Sequence, residues 1–210
     1  MTRLELRSML RRRLQEVTAA QWTDATLNSL LNLGLQYMQK KVQAVDPEWL
    51  VYTDTTPIVA NQRDYPKPSG FQFEIAVYVS TNNGTSYSIA DFVEYQDLIA
   101  GDVEGVQYSY KGRFIALSPT PTANSTAGLK LEWVPTLAMG NDDETPDLQV
   151  NLHEGIVYRA EMLALGETAQ QAEVAAVELA AVVGDITSYY RRKGTPDHIN
   201  FKGFIGWDVE

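Results

Sequence analysis

The chain has no cysteine. Disulfides, thiol nucleophiles and thiolate metal sites are therefore excluded. Histidine is scarce, two in all. Neither His153 nor His198 has the second histidine four residues on that an H-E-x-x-H zinc site needs, so each reads as a plain core or surface side chain. No apolar run reaches the ~18 residues of a membrane span. The start, Met1-Thr2-Arg3-Leu4-Glu5, has no uninterrupted apolar stretch behind it, so a soluble chain made inside the cell, without a signal peptide, is expected. Positive charge is short as well: Lys+Arg number 17 against 27 Asp+Glu, a formal net charge of -10. Such a chain gains nothing from counterion release on DNA, and its surface repels a passing polyanion.

The signatures of chemistry are missing too. There is no phosphate loop, nucleophile elbow or dinucleotide fingerprint. Gly101-Asp102-Val103-Glu104-Gly105 is flanked by glycine but acidic, so it repels phosphate. Asp142-Asp143-Glu144 lacks the alternating ligands and central glycine of a calcium loop. It reads as a solvated loop whose carboxylates favour the dipole of a following helix. Serine and tyrosine are plentiful, but no histidine base pairs with them in sequence. No catalytic residue, cofactor site or metal site is expected.

What is present is a clear layout. Of nine prolines, none falls in 1–46 or 148–194. Proline breaks helix interiors, so these two stretches are the helical candidates. Thr2 and Glu5 form a capping box, after which Leu6, Leu10, Leu14 and Val17 recur at helical spacing. Arg11, Arg12 and Arg13 splay around that helix. A solvated face is the expectation for them, with contact to nucleic acid or an acidic partner as the alternative. Thr23 caps a second helix, with Trp22 placed to staple onto Leu27. Leu27, Leu30, Leu31, Met38, Val42 and Val45 mark its buried stripe. Gly34 interrupts it at about 1 kcal/mol against alanine, by simple tolerance or because another helix backbone comes close. Asp46-Pro47 ends the element.

The middle is β-rich. Trp49–Val59 and Phe71–Val79 carry β-branched and aromatic residues, and Asn82-Asn83-Gly84 reads as a primed turn. Tyr108 and Tyr110, then Lys111-Gly112, then Phe114–Leu117 read as a tight hairpin. Leu129–Val134 alternates cleanly and predicts a strand with one wet face. Asp91–Ala100 reads as a short helix and Thr120–Gly128 as a polar loop. Thr145-Pro146 then has the form of an N-cap with proline at the first helical position. Leu152, Ile156, Tyr158, Leu163 and Leu165 follow, with Gly166 as the cap. A fourth helix is expected over 168–193, its apolar side formed by Ala172, Ala175, Ala176, Leu179, Val182, Val183 and Ile186. Arg191, Arg192 and Lys193 suit its negative pole.

The last stretch, Thr195–Glu210, shows no regular period, yet it holds Ile199, Phe201, Phe204, Ile205 and Trp207. A solvated tail is not this aromatic. Docking of these five on a partner is expected, the alternative being that they fold back on their own domain. The fold expected is α+β: a four-helix bundle from N- and C-terminal helices, a central antiparallel β-rich insertion and an extended C-terminal tail. In sequence this reads as a helical pair over 1–47, the insertion over 48–140, a second helical pair over 141–194 and a docking tail over 195–210.

One order of motifs runs through these segments. Trp22-Thr23-Asp24, Leu27-Asn28 and Leu31-Asn32 precede Asp46-Pro47-Glu48. Asp64-Tyr65-Pro66-Lys67-Pro68 follows, then Gly112-Arg113-Phe114-Ile115-Ala116-Leu117-Ser118-Pro119, then Leu131-Glu132-Trp133-Val134-Pro135, and a long alanine-rich helical pair closes the series. In this the chain resembles the head-to-tail adaptor (connector) proteins of tailed bacteriophages. The resemblance implies a structural virion protein and not an enzyme, made in the host bacterial cytoplasm and placed at the portal vertex. It implies a homo-oligomeric ring, usually of twelve copies, that binds the portal protein and offers a platform to a tail or nozzle protein. DNA would pass through its channel without specific binding, and no membrane is involved. In such adaptors helices form the ring body and a C-terminal extension reaches the portal; the matching segment is Thr195–Glu210. The alternatives are another tail-completion or fibre-attachment virion protein, and a ligand-binding module built on the β part.

Overall fold

A computed structural model of the chain describes residues 1–16, 21–100, 105–166 and 170–192. The chain divides into two units, one from Met1–Asp46 with Leu148 onward, the other Pro47–Asp147.

In the first unit, α1 (Arg3–Arg13) and α2 (Asp24–Gln43) come from the N-terminal stretch, and α4 (His153–Leu165) and α5 (Gln170–Arg192) from the C-terminal one. The capping box forms: Glu5 N donates to Thr2 Oγ1 at 3.3 Å and Thr2 N to Glu5 Oε2 at 2.9 Å. Thr23 Oγ1 accepts from Thr26 N at 3.2 Å and starts α2. Such caps satisfy amides that have no partner within the helix, worth about 1 kcal/mol each. Helix α4 touches α1, α2 and α5. Leu6, Leu10, Leu27, Leu31, Leu35, Met38, Ile156, Val157 and Ala160 are fully buried among these helices, with Ala172, Ala175 and Leu179 from α5.

Two glycines set the approach of α2 to α4. A Cβ on Gly34 would lie 3.2 Å from the carbonyl carbon of Ile156 and collide with its oxygen. Gly155 of α4 in turn receives Met38, whose Cε would sit 2.7 Å from an added Cβ. The interruption in α2 is thus the close passage of another helix backbone.

The second unit holds β1 (Tyr52–Ile58), β2 (Asp64–Pro66), β3 (Phe71–Val79), β4 (Ser88–Ile89), β5 (Asp91–Phe92), α3 (Tyr95–Ala100), β6 (Gln107–Lys111), β7 (Phe114–Ser118) and β8 (Ser125–Pro135). The strands form two four-stranded sheets, ordered β1-β8-β3-β4 and β2-β7-β6-β5. Ile58, Val77, Leu129, Leu131 and Trp133 from the first sheet and Tyr65, Tyr108, Ile115 and Leu117 from the second share one core. Strand β8 alternates as its sequence requires: Leu129, Leu131 and Trp133 are buried, while Lys130 and Glu132 between them are partly exposed and paired at 2.6 Å. The bulge between Thr56 and Ile58 brings Ile58 over Gly128, where any side chain would stand 2.6 Å from the Ile58 Cβ. Asn83 and Gly84 both have positive φ, and Thr85 N donates to Asn82 O at 3.3 Å, so this turn is of the primed type. The β6–β7 hairpin turns on Gly112, at φ 58°.

The architecture corrects the expected one in several ways. The chain is α+β, but it is not a four-helix bundle carrying an insertion. Among the described residues there are five α-helices, and the β part is built as two complete four-stranded sheets. Nor is it wholly antiparallel, since β5 pairs with β6 in parallel. The reason is length: β2, β4 and β5 are two or three residues each, too short for alternation to register in sequence. Within 91–100 a strand precedes the helix, and β8 already begins at Ser125 inside the stretch expected as loop. Pro146 does not start a helix. A 3₁₀ turn over Val150–Leu152 leads into α4, whose N-cap Leu152 has no side-chain hydrogen bond. Gly166 ends α4 as expected, at φ 80°. Val17 and the tail residues Ile199, Phe201, Phe204, Ile205 and Trp207 lie outside the described residues.

Candidate assembly surfaces

The three arginines at the end of α1 take three different paths. Arg12 is exposed. Arg11 bonds Asp24 Oδ1 at 2.7 Å, Trp22 O at 3.0 Å and Glu16 Oε2 at 3.2 Å, holding the start of α2. Arg13 donates to Glu161 of α4 and Glu178 of α5 and lies 4.7 Å above the Tyr158 ring. Burial alone would lower its pKa, but the bonds to the two carboxylates outweigh that and raise it. Glu161 is 5% exposed, so Arg13 is the cation that faces a buried carboxylate. The expected solvated face is therefore correct for Arg12 alone; Arg11 and Arg13 are clamps. Consecutive helix positions point about 100° apart, and the packing of α2, α4 and α5 decides which of them finds an acid.

His153 is fully buried. Its Nε2 lies 3.0 Å from Leu148 O and its Nδ1 2.9 Å from the Met1 amino group, which suits a core histidine that ties α1 to the start of α4. Glu144, the last of the acidic run, accepts from Gly140 N at 2.6 Å and Asn141 N at 3.2 Å. That makes it a loop brace. Among the described residues no group of three or more His, Asp or Glu is placed to hold a metal ion.

In the β unit Tyr65 is buried, donates to Gln62 O at 2.9 Å and accepts from Val59 N at 3.2 Å. The tyrosine before Pro66 thus fastens a loop. Trp133 Nε1 donates to Asp54 Oδ2 at 3.0 Å, and its ring stacks on Phe71 at 5.9 Å. Phe71 meets Tyr110 edge-on at 5.9 Å, which carries aromatic contact from one sheet to the other. Burial, and then the Glu74 carboxylate, hold the phenols of Tyr108 and Tyr110 far above their ordinary range. Both stay protonated at neutral pH, and Tyr108 donates to Glu74 at 3.0 Å. A cavity of about 260 Å³ lies between Ile58, Val79, Leu117, Pro119 and Pro121. No titratable side chain lines it, so it offers no acid or base to a substrate.

The arrangement is one of caps, clamps and packed aromatics rather than reacting groups. The sequence model of the SU10 adaptor protein family matches residues 1–198. The chain belongs to the SU10 adaptor protein family. The match takes in both units and ends just before Ile199, so all five tail residues singled out for docking lie beyond it. No curated protein matches the chain in sequence.

As a member of the SU10 adaptor family the chain is a phage structural adaptor, associated with the virion and with other virion proteins, in a family that is typically non-enzymatic. No described helix is long and apolar enough to cross a membrane. For an adaptor the surfaces that matter are those left over once the core is built. In the helical unit these include Val174 and Val177 of α5, 58% and 71% exposed. They also include a groove of about 360 Å³ with Tyr37, Arg159, Met162 and Leu179 among its walls. Sequence reading placed α5's buried side correctly at Ala172, Ala175 and Leu179 but passed over Val174 and Val177. The signal was there: a helix apolar on two opposite sides has more to cover than its own core can.

Proposed function

We propose that the chain is a head-to-tail adaptor of a tailed bacteriophage, made in the host bacterial cytoplasm and built into the portal vertex. Copies form a closed ring, of twelve, between the portal protein and a tail or nozzle protein, and extend the channel through which DNA passes. The observation that carries this reading is the adaptor family match across residues 1–198, which takes in both units.

The physical chemistry supports it. A ring of subunits with a net charge of -10 each surrounds DNA without holding it, since a negative wall repels a polyanion. A helical unit clamped by Arg11 and Arg13 keeps its shape under load. The parts divide the work: the helical stretches 1–47 and 141–194 close the ring, 48–140 meets the tail, and 195–210 docks on the portal through Ile199, Phe201, Phe204, Ile205 and Trp207.

Truncation after Gly194 tests the docking assignment. The shortened chain should keep its melting transition and lose portal binding in a pull-down with assembled portal. Undiminished binding would remove the tail from the mechanism.

A further inference from the structure

Helix α5 is apolar on more than one side. Ala172, Ala175, Leu179 and Ile186 are buried. On the opposite side Val174, Val177 and Ala181 are exposed, flanked by the exposed acids Glu173 and Asp185. Glu178, on the same helix, is committed to Arg13 and adds nothing to that flank. Such a stripe is more than scattered surface residues, because its members recur at helical spacing over two turns.

A surface of complementary character lies on the same unit. The groove between α2, α4 and α5 is floored by Met162, Leu179 and Val183 and bounded by Tyr37 and Arg159. Two cations sit over the Tyr37 ring, Arg159 at 4.9 Å and Lys41 at 5.2 Å. An apolar floor under two positive charges fits an apolar ridge bordered by acids. Such a basic rim attracts a carboxylate-bearing surface. We infer that the groove of one copy receives the Val174–Val177–Ala181 stripe of a second copy, with Glu173 and Asp185 facing Arg159 and Lys41.

The contact is heterologous. At about 100° per residue, the stripe and the groove-facing positions of α5 point roughly 140° apart around its axis. One copy therefore offers its stripe in one direction and its groove in another, and repetition closes a ring when the rotation permits. The inference rests on the adaptor reading and deepens it by naming the surfaces that join neighbouring copies.

Because the chain has no cysteine, a pair of thiols tests the contact cleanly. Full-length protein carrying Val177→Cys and Met162→Cys together is treated with a short bis-maleimide, once as concentrated free protein and once after mixing with assembled portal. The expected result is a ladder of covalent dimers, trimers and larger species in at least one of the two, at least tenfold reduced when Glu replaces Ala181, and absent from each single-cysteine chain. Dimers from Val177→Cys alone would mean that like faces like, and would overturn the inference. So would the absence of any ladder while electron microscopy finds a ring on the portal, an outcome that leaves the adaptor reading standing. A ladder from protein that never binds portal would keep the contact and remove the adaptor reading. No ladder and no ring would remove both.

Discussion

Gly34 of α2 lies against the backbone of Ile156 in α4, so closely that a Cβ at position 34 would overlap the Ile156 carbonyl oxygen. The neighbour in the way is main chain, which cannot swing aside. Cores interdigitated this closely transmit strain from one helix to the next.

Gly34→Ala should therefore destabilise the helical unit, although alanine is the better helix former by about 1 kcal/mol. Overpacking against backbone costs about 1–3 kcal/mol, on top of offsetting that gain. Gly155→Ala should cost less, because what it meets is the flexible end of Met38. Thermal denaturation of the two variants decides the order. A Gly34→Ala chain that melts above the parent would contradict the packing described.

The arginines separate in the same experiment. Arg13→Ala leaves Glu161 buried without its cation, and breaking a buried pair costs about 3 kcal/mol. Arg12→Ala removes an exposed side chain and should fall within about 0.5 kcal/mol of the parent. Equal losses for the two would mean that the clamp carries no load.

Alkaline pH should weaken the β unit. The folded chain holds Tyr108 and Tyr110 protonated well above the ordinary phenol value, through burial first and Glu74 second. A group whose pKa is raised by folding contributes stability that is fully present below its unfolded value and is lost as pH rises towards its folded one. The loss should therefore begin near pH ~10, the unfolded phenol value. Tyrosine absorbance during an alkaline titration should show a late group that ionises only as the chain unfolds. Eleven tyrosines titrating together near pH ~10 in folded protein would refute this.

The β1–β8 bulge makes its own test. Gly128→Ala meets the Ile58 side chain and should destabilise, and Ile58→Ala in the same chain should recover part of that loss. The coupling in a double-mutant cycle measures the contact. Strictly additive losses would mean that the two positions do not touch.

Local rules carried much of the reading. Thr2 with Glu5, Thr23, Phe71–Val79 and the turn at Asn83-Gly84 were legible because each is decided within a few residues. Gly34 was legible as a choice between two readings, and the structure selects the closer packing. The role of Arg13 was illegible because its partners, Glu161 and Glu178, lie more than a hundred residues away, and that of Arg11 because its acids, Glu16 and Asp24, come within reach only when the chain turns back into α2. The two sheets escaped notice because three of their strands are too short to alternate. The groove under Tyr37 was illegible for a third reason. Its walls come from α2, α4 and α5, and no window of sequence holds them together.

The most direct measurement is cryo-electron microscopy of the full-length protein mixed with assembled portal. The account predicts a closed ring of copies on one end of the portal, continuous with its channel, with the 195–210 segment in contact with portal subunits. Protein that leaves the portal bare, or that binds as isolated copies away from the channel, would contradict it.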